Sequence, residues 1–148
     1  QDFETSTEDT PQFIIYHVYR SLTCYYAEKF DEASKWLNKL LNELSFKKFP
    51  EAHLEVKLLL LLQYCVMDDL ELFNQLLSST QRQLRALGKD NSENIASYIK
   101  LLRVSISETG KQKMPKMKAL MGRIFPDENP FSALNLLKFN DKFLEQLT

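Results

Sequence analysis

The spacing of apolar residues constrains this chain more than any other feature of its sequence. Apolar side chains recur every three or four positions in successive segments, for example over 13–27 and 33–44, and no segment alternates polar and apolar residues. A spacing of three to four gathers side chains on one face of an α-helix, whereas alternation is typical of strands. Three glycines and five prolines are too few for a turn-rich β architecture. The sequence therefore predicts an all-α fold.

Residues typical of helix ends divide these segments into pairs of helices. Thr10 is expected as the N-cap of the first helix, with Pro11 at its first position, because proline has no N–H to leave unbonded there. Glu28 and Lys29 are expected to form the turn that follows the first helix. A second helix after this turn completes the first helical hairpin.

Two further hairpins are expected. The second would begin at Pro50 and end at Gly88, and the third would turn at Gly110 and stop at Pro126. The helix that contains Leu58–Leu62 is apolar almost all round, which predicts a position in the middle of the domain.

Capping residues and buried stripes complete the helical assignment. The acidic pairs Asp31–Glu32 and Asp68–Asp69 fall at predicted helix starts, where capping and the helix dipole explain them. Ser92 or Asn91 is expected to cap the third hairpin. The residues expected to face inward are Ala33, Trp36, Leu37, Leu40, Leu41, Leu44, Leu70, Phe73, Leu76, Leu77, Leu84, Leu87, Ile95, Tyr98, Ile99, Leu102, Ile106, Met114, Met117, Leu120, Met121, Ile124 and Phe125.

The two ends of the chain differ from the middle. Residues 1–9 are acidic and polar and are expected to form a flexible tail, so the helical-hairpin domain spans residues 10–148. Because the first residue is Gln1 rather than Met, we expect the chain to be a fragment of a longer protein. From Asn129 onward, an amphipathic helix, or two short ones broken near Asn140 and Asp141, is expected to cap the hairpins.

The stretch Tyr25–Ala33 resembles the turn and second helix of a tetratricopeptide repeat, with Phe30 at the aromatic position and Ala33 at the small one. Arg20 and Ser21 depart from the family pattern. The residues 136–145 are also similar to the ends of uncharacterised bacterial proteins with tetratricopeptide-like helices. The resemblance implies a stack of about three antiparallel hairpins that binds a protein or peptide along the groove formed by the first helices of the pairs.

Charge and cysteine content exclude several classes of protein. With a net charge of −1 and a pI near 6.2, no overall field attracts nucleic acid or an anionic membrane. The apolar run Leu58–Leu62 is far shorter than the roughly 20 residues that a membrane-spanning helix needs. Cys24 and Cys65 lie in apolar helical patterns and are expected to be buried free thiols, which favours a reducing, cytoplasmic location.

Catalytic and metal-binding patterns are not found in the sequence. His17 and Cys24 lie two helical turns apart, roughly 10.5 Å along the axis, which is too far for one metal ion or a nucleophile–base pair. Glu51, His53 and Glu55 are interpreted as solvated surface, because alternate helical positions point in different directions. The sequence therefore predicts a protein without catalytic residues, cofactor or metal.

The leading functional hypothesis is a non-enzymatic interaction or scaffold module that binds a peptide or a neighbouring domain. The sequence does not identify the partner or the binding residues. The residues Tyr16, Tyr19, Arg20, Tyr25 and Tyr26 are of types enriched in interface hot spots, although packing in the core with the hydroxyls at the surface is the favoured interpretation of the tyrosines. One alternative is a nucleic-acid or anion-binding face built on the basic segment 111–123 with Arg82 and Arg85, without aromatic residues to stack bases. The other is a purely architectural domain.

Overall fold

The computed structural model describes residues 9–148, which form an all-α fold with no strand in that range. The expected all-α class is therefore confirmed for the described part of the chain. The predicted acidic tail lies outside the described residues, except for Asp9. The helices are α1 (Thr10–Tyr26), α2 (Phe30–Glu43), α3 (Pro50–Val66), α4 (Leu70–Ala86), α5 (Glu93–Ser107), α6 (Lys113–Met121), α7 (Ala133–Leu136) and α8 (Asp141–Gln146).

Consecutive helices pack as pairs, α1 with α2, α3 with α4 and α5 with α6, and α2 also packs on α3. Two of the within-pair turns share one backbone geometry. Glu28 and Asp68 adopt left-handed φ angles of 61° and 56°, and the next amide bonds back to a carbonyl five residues earlier. Short turns of this kind satisfy carbonyls at the helix end while reversing the chain.

Helix α3 lies at the centre of the core, as its composition predicts. It packs against α1, α2, α4, α5 and α7, and each of Leu58–Leu62 is at most 2% exposed. The polar residues that flank this run, Lys57 and Gln63, are buried as well. The Lys57 ammonium donates a hydrogen bond of 2.7 Å to Ser79 Oγ, which compensates part of its desolvation.

Several helix ends differ from the expectation. Asp9, not Thr10, is the N-cap of α1, so Thr10 is the first helical residue and Pro11 follows it. Helix α6 ends at Met121 with Gly122 as its C-cap, well before Pro126, because glycine is a poor helix former. Ser92 is confirmed as the cap of α5, since its side chain accepts a hydrogen bond from the Ile95 amide.

The acidic pairs match the prediction in part. Asp69 caps α4 by accepting a 3.1 Å hydrogen bond from the Leu72 amide, whereas Asp68 belongs to the preceding turn. Asp31 makes no capping bond but forms a 3.1 Å ion pair with Lys35 one turn later. The helix dipole therefore accounts for the acidic start of α2, and side-chain capping does not.

Most residues expected inside are buried or packed against the core, with three exceptions. Leu70 is 46% exposed at the first position of α4, and Phe125 is 59% exposed because the helix has already ended before it. Trp36 is partly exposed, with the Arg20 guanidinium 5.0 Å and the Lys39 ammonium 5.8 Å from its ring centroid. Among the methionines of α6, Met117 is fully buried.

The C-terminal segment, residues 126–148, contains two short helices with a break at Asn140, as one of the two expected forms requires. The Asn140 side chain caps α8 by accepting a hydrogen bond from the Phe143 amide. Helix α8 packs on α6, as expected of a cap, but α7 packs on the central α3. The expectation that the C-terminal segment only caps the end of the hairpins is therefore wrong. Within residues 9–148, no helix combines the length and apolar composition that crossing a bilayer requires.

Candidate functional site

Helix α3 contacts both α1 and α5, so the three helices lie side by side. We call the surface that they share the α1–α3–α5 face. The C-terminal segment lies across this face. On α3, one carboxylate oxygen of Glu55 accepts hydrogen bonds from the Ala133 amide at 2.7 Å and from Ser132 Oγ at 3.1 Å. Glu55 thus binds the first residues of α7 directly.

Tyrosines of α1 and α5 hold the same segment. The Tyr26 hydroxyl donates to the Leu136 carbonyl and accepts from the Lys138 amide, each at 3.1 Å. The Tyr25 hydroxyl donates to Gln146 Oε1. On α5, the Tyr98 ring packs edge-on against Phe139, with centroids 6.1 Å apart. The segment therefore contacts all three helices of the face.

Apolar burial makes this contact extensive. The apolar side chains of the segment that are at most 6% exposed are Ala133, Leu134, Leu137, Phe143, Leu144 and Leu147. Full burial of one large apolar side chain stabilises a fold by about 1.5–3 kcal/mol. The segment is therefore part of the core, and it fills the face along which the resemblance implies peptide binding.

One apolar pocket remains open beside the segment. It has a volume of about 190 Å³ and lies between α1, α3 and the residues around Phe131. Tyr19, 46% exposed, and Phe131, 51% exposed, also line it. The helix residues that line it include Ile14, Ile15, Val18, Ala52, Val56 and Leu59. The pocket can accept an apolar group from solvent.

Glu55 supplies a carboxyl group to the pocket wall. Burial raises the pKa of the Glu55 carboxyl, while the hydrogen bonds from Ala133 and Ser132 oppose that shift. The interpretation of Glu55 as solvated surface is therefore wrong, whereas Glu51 is exposed as expected. No sequence signal could reveal this role, because the partners of Glu55 lie 77 and 78 positions away in the chain.

The predicted tyrosine cluster separates into two groups. Tyr25 is 2% exposed and, with Tyr26, contacts the C-terminal segment, so this pair contributes to the fold. Tyr16 is 55% exposed and packs edge-on against Trp36 at a centroid distance of 5.9 Å, beside Arg20. The structure therefore does not form one continuous tyrosine surface.

The histidines considered as catalytic candidates make contacts that belong to the packing of the fold. His17 is buried, and its Nδ1 lies 2.9 Å from the Phe13 carbonyl. His53 stacks on Phe46 with centroids 4.7 Å apart, and burial lowers its pKa. Among residues 9–148, no three His, Cys, Asp or Glu side chains are grouped closely enough to hold a metal ion.

Both cysteines are free thiols, and their burial differs. Cys65 is 6% exposed, and burial raises the pKa of its thiol to about 12. Cys24 is only partly buried, so the expectation of burial is confirmed for Cys65 alone. A thiol held protonated in this way is a poor nucleophile.

The groove that Arg85 lines contains no residue of the basic segment 111–123. Lys116 is engaged in a 2.8 Å ion pair with Glu108, and Met117 and Leu120 of the same segment are buried. Arg85 instead lines a groove of about 610 Å³ beside Lys89, Lys100 and Arg103. A cluster of positive charge therefore lies between α4 and α5, where the sequence analysis did not predict one.

In comparisons with known proteins, no family model, no curated protein and no solved structure matches this chain. Its function must therefore be inferred from its own residues.

Proposed function

We propose that this protein is a non-enzymatic protein-binding module, built as a tetratricopeptide-like stack of antiparallel hairpins, that binds a peptide by one apolar side chain. The observation that carries the proposal is the open apolar pocket between α1, α3 and the C-terminal segment. Exposed Tyr19 and Phe131 beside this pocket are of the residue class that dominates protein interfaces.

The size of the pocket favours a protein partner over a metabolite. Its volume of about 190 Å³ lies below the range of about 300–1,000 Å³ that is usual for small-molecule sites. A cavity of this size suits a single anchoring side chain of the kind that contributes most to interface affinity. Its lining is mainly apolar, so leucine or an aromatic residue is the expected anchor.

The helix pairing supports the tetratricopeptide-like part of the proposal. Three consecutive pairs pack internally, and α1, α3 and α5 share a face, as the first helices of stacked repeats do. Ala33 is fully buried and Phe30 packs against the core, which is compatible with the roles that the resemblance implies for them. The C-terminal segment fills most of the shared face, so we propose binding at the remaining pocket rather than along an open groove.

The test selects peptides from a display library of random linear sequences on the wild-type protein and measures their dissociation constants. Ala52→Phe fills the pocket from α3, and Ala119→Phe adds the same ring at an exposed position on α6 as the matched control. Loss of a hot-spot anchor costs about 2 kcal/mol or more, which is roughly thirtyfold in Kd.

We expect the selected peptides to share a leucine or aromatic residue, to lose affinity for the Ala52→Phe protein and to bind the Ala119→Phe protein as they bind wild type. Circular dichroism would establish that both variants are folded. Peptides that bind the Ala52→Phe protein unchanged would refute the pocket as the site. Failure to select any peptide would instead favour the architectural alternative.

A further inference from the structure

A second candidate surface lies between the second and third helix pairs. Helix α2 packs directly on α3, but α4 and α5 are not among the closely packed pairs within residues 9–148. The space between them is the groove of about 610 Å³, which we call the α4–α5 groove. Its volume is about three times that of the apolar pocket, and the two share no lining residue.

Positive charge lines both sides of this groove. Arg85 projects from the last turn of α4, and Lys100 and Arg103 lie three residues apart on α5, which places them on one side of that helix. All three are exposed, and no acidic side chain of residues 9–148 forms an ion pair with them. These cations are therefore free to meet an external anion.

The acidic side chains of the groove offset little of this charge. Glu108 lines the groove and is paired at 2.8 Å with Lys116, which does not line it. Lys89, at the groove end, is paired with Glu51 at 3.6 Å, which leaves Asp90 as the remaining carboxylate of the lining. With three unpaired cations against one carboxylate, the groove presents net positive charge.

Beneath the charged rim, the floor of the groove is apolar. Leu84 of α4 and Ile95, Ile99 and Val104 of α5 line it, and exposed Ala96 leaves room beside them. A basic rim above an apolar floor complements a helix with leucines on one face and acidic residues beside them, and a helix laid in a groove is a common mode of recognition.

We propose that the α4–α5 groove binds an acidic amphipathic helix of a partner protein. Charge complementarity with Arg85, Lys100 and Arg103 selects an acidic partner, and the floor accepts its apolar face. Nucleic acid fits less well, because no aromatic residue lines the groove to stack on bases. This surface is independent of the apolar pocket, so the two proposals can fail separately.

The test uses three synthetic helical peptides that share a leucine face and differ only in the residues flanking it, which are glutamate, glutamine or lysine. Binding to the full chain is measured by fluorescence anisotropy at low and at physiological salt. Amide chemical shifts then locate the bound peptide. We expect only the glutamate peptide to bind, with affinity that falls as salt rises, and to shift α4 and α5 amides.

A pair of charge-reversal variants separates the groove from general attraction. Arg85→Glu with Arg103→Glu reverses two rim charges, and Lys111→Glu with Arg123→Glu makes the same change in net charge at exposed residues outside the groove. We expect the first variant to weaken the glutamate peptide at least about tenfold and the control to change it less than about twofold. Thermal unfolding monitors the fold of both.

Three results would overturn the proposal. Equal weakening by both variants would mean unspecific attraction, and equal binding of the glutamine peptide would mean that the rim charges play no part. A single-stranded oligonucleotide that binds more tightly than the glutamate peptide, and loses affinity with the groove variant alone, would assign the surface to nucleic acid. The Ala52→Phe change should not alter binding of the glutamate peptide, because the apolar pocket and the α4–α5 groove share no lining residue.

Discussion

Replacing Glu55 tests how the C-terminal segment is held on the α1–α3–α5 face. In Glu55→Ala, the amide of Ala133 and the hydroxyl of Ser132 both lose the carboxylate oxygen that accepts their hydrogen bonds. Both residues are at most 1% exposed, so the donors that lose their acceptor are buried. In Glu55→Gln, an amide oxygen of the same shape remains for the Ala133 amide.

The expected magnitudes follow from this geometry. Leaving a buried donor without a partner costs about 1–3 kcal/mol, so Glu55→Ala should lower the free energy of unfolding by at least about 1 kcal/mol. Glu55→Gln weakens the acceptor but also removes a charge that burial disfavours, and the two effects oppose each other. We therefore expect Glu55→Gln to lie within about 1 kcal/mol of wild type at neutral pH.

The pH dependence of the Glu55→Gln effect has a definite sign. Burial raises the pKa of Glu55 in the folded protein above its usual value of 4.5. Its contribution to stability is therefore fully present below that value and is lost as the pH rises through the raised pKa. Glutamine does not titrate, so the Glu55→Gln protein should gain stability relative to wild type as the pH rises.

Urea unfolding followed by circular dichroism, at about pH 4 and about pH 7.5, measures both the magnitude and the sign. Glu43→Gln, a change at an exposed carboxylate that forms no ion pair within residues 9–148, is the control and should change the free energy of unfolding by less than about 0.5 kcal/mol. The reasoning fails if Glu55→Ala costs nothing, or if the Glu55→Gln protein loses stability relative to wild type as the pH rises.

Three further predictions concern the core. Leu61→Ala should cost about 2–5 kcal/mol in urea unfolding, while Leu72→Ala, at a site 38% exposed, should cost less than about 1 kcal/mol; equal losses would refute the central place of α3. Tyr98→Phe should cost about 0.5–1.5 kcal/mol, since its fully buried hydroxyl donates a 2.8 Å bond to a carbonyl of α3, and no loss would contradict that bond. Cys65, with its pKa raised by burial to about 12, should react with a thiol reagent only on unfolding, more slowly than partly exposed Cys24; fast native labelling of Cys65 would refute its burial.

Local features of the fold were predictable because their causes are local. The start of α3 at Pro50, the turn at Glu28, the cap at Ser92 and the break at Asn140 depend on residues within a few positions of each other. Helix periodicity, proline and capping side chains act over the same short range. The error at Pro126 is also local, since Gly122 ends α6 first.

The candidate sites depend on residues that are distant in the sequence. In the sequence, Glu55 resembles other surface carboxylates of the helices. In the folded protein it is largely buried because Ser132 and Ala133 pack against it on α3. Likewise, Arg85 was grouped with the run 111–123 because both are basic, whereas its neighbours in the groove are Lys100 and Arg103. Charge composition does not specify which charged groups meet.

The sequence alone determined the all-α class, the central position of α3 and several helix boundaries, because apolar periodicity and capping are set within one or two helical turns. The tertiary structure decided where the C-terminal segment lies, that an apolar pocket stays open beside it, and that α4 and α5 separate into a basic groove. These features arise from the packing of whole helices across the fold. An amphipathic pattern predicts that one face of a helix is buried, but it does not predict which other element packs against that face.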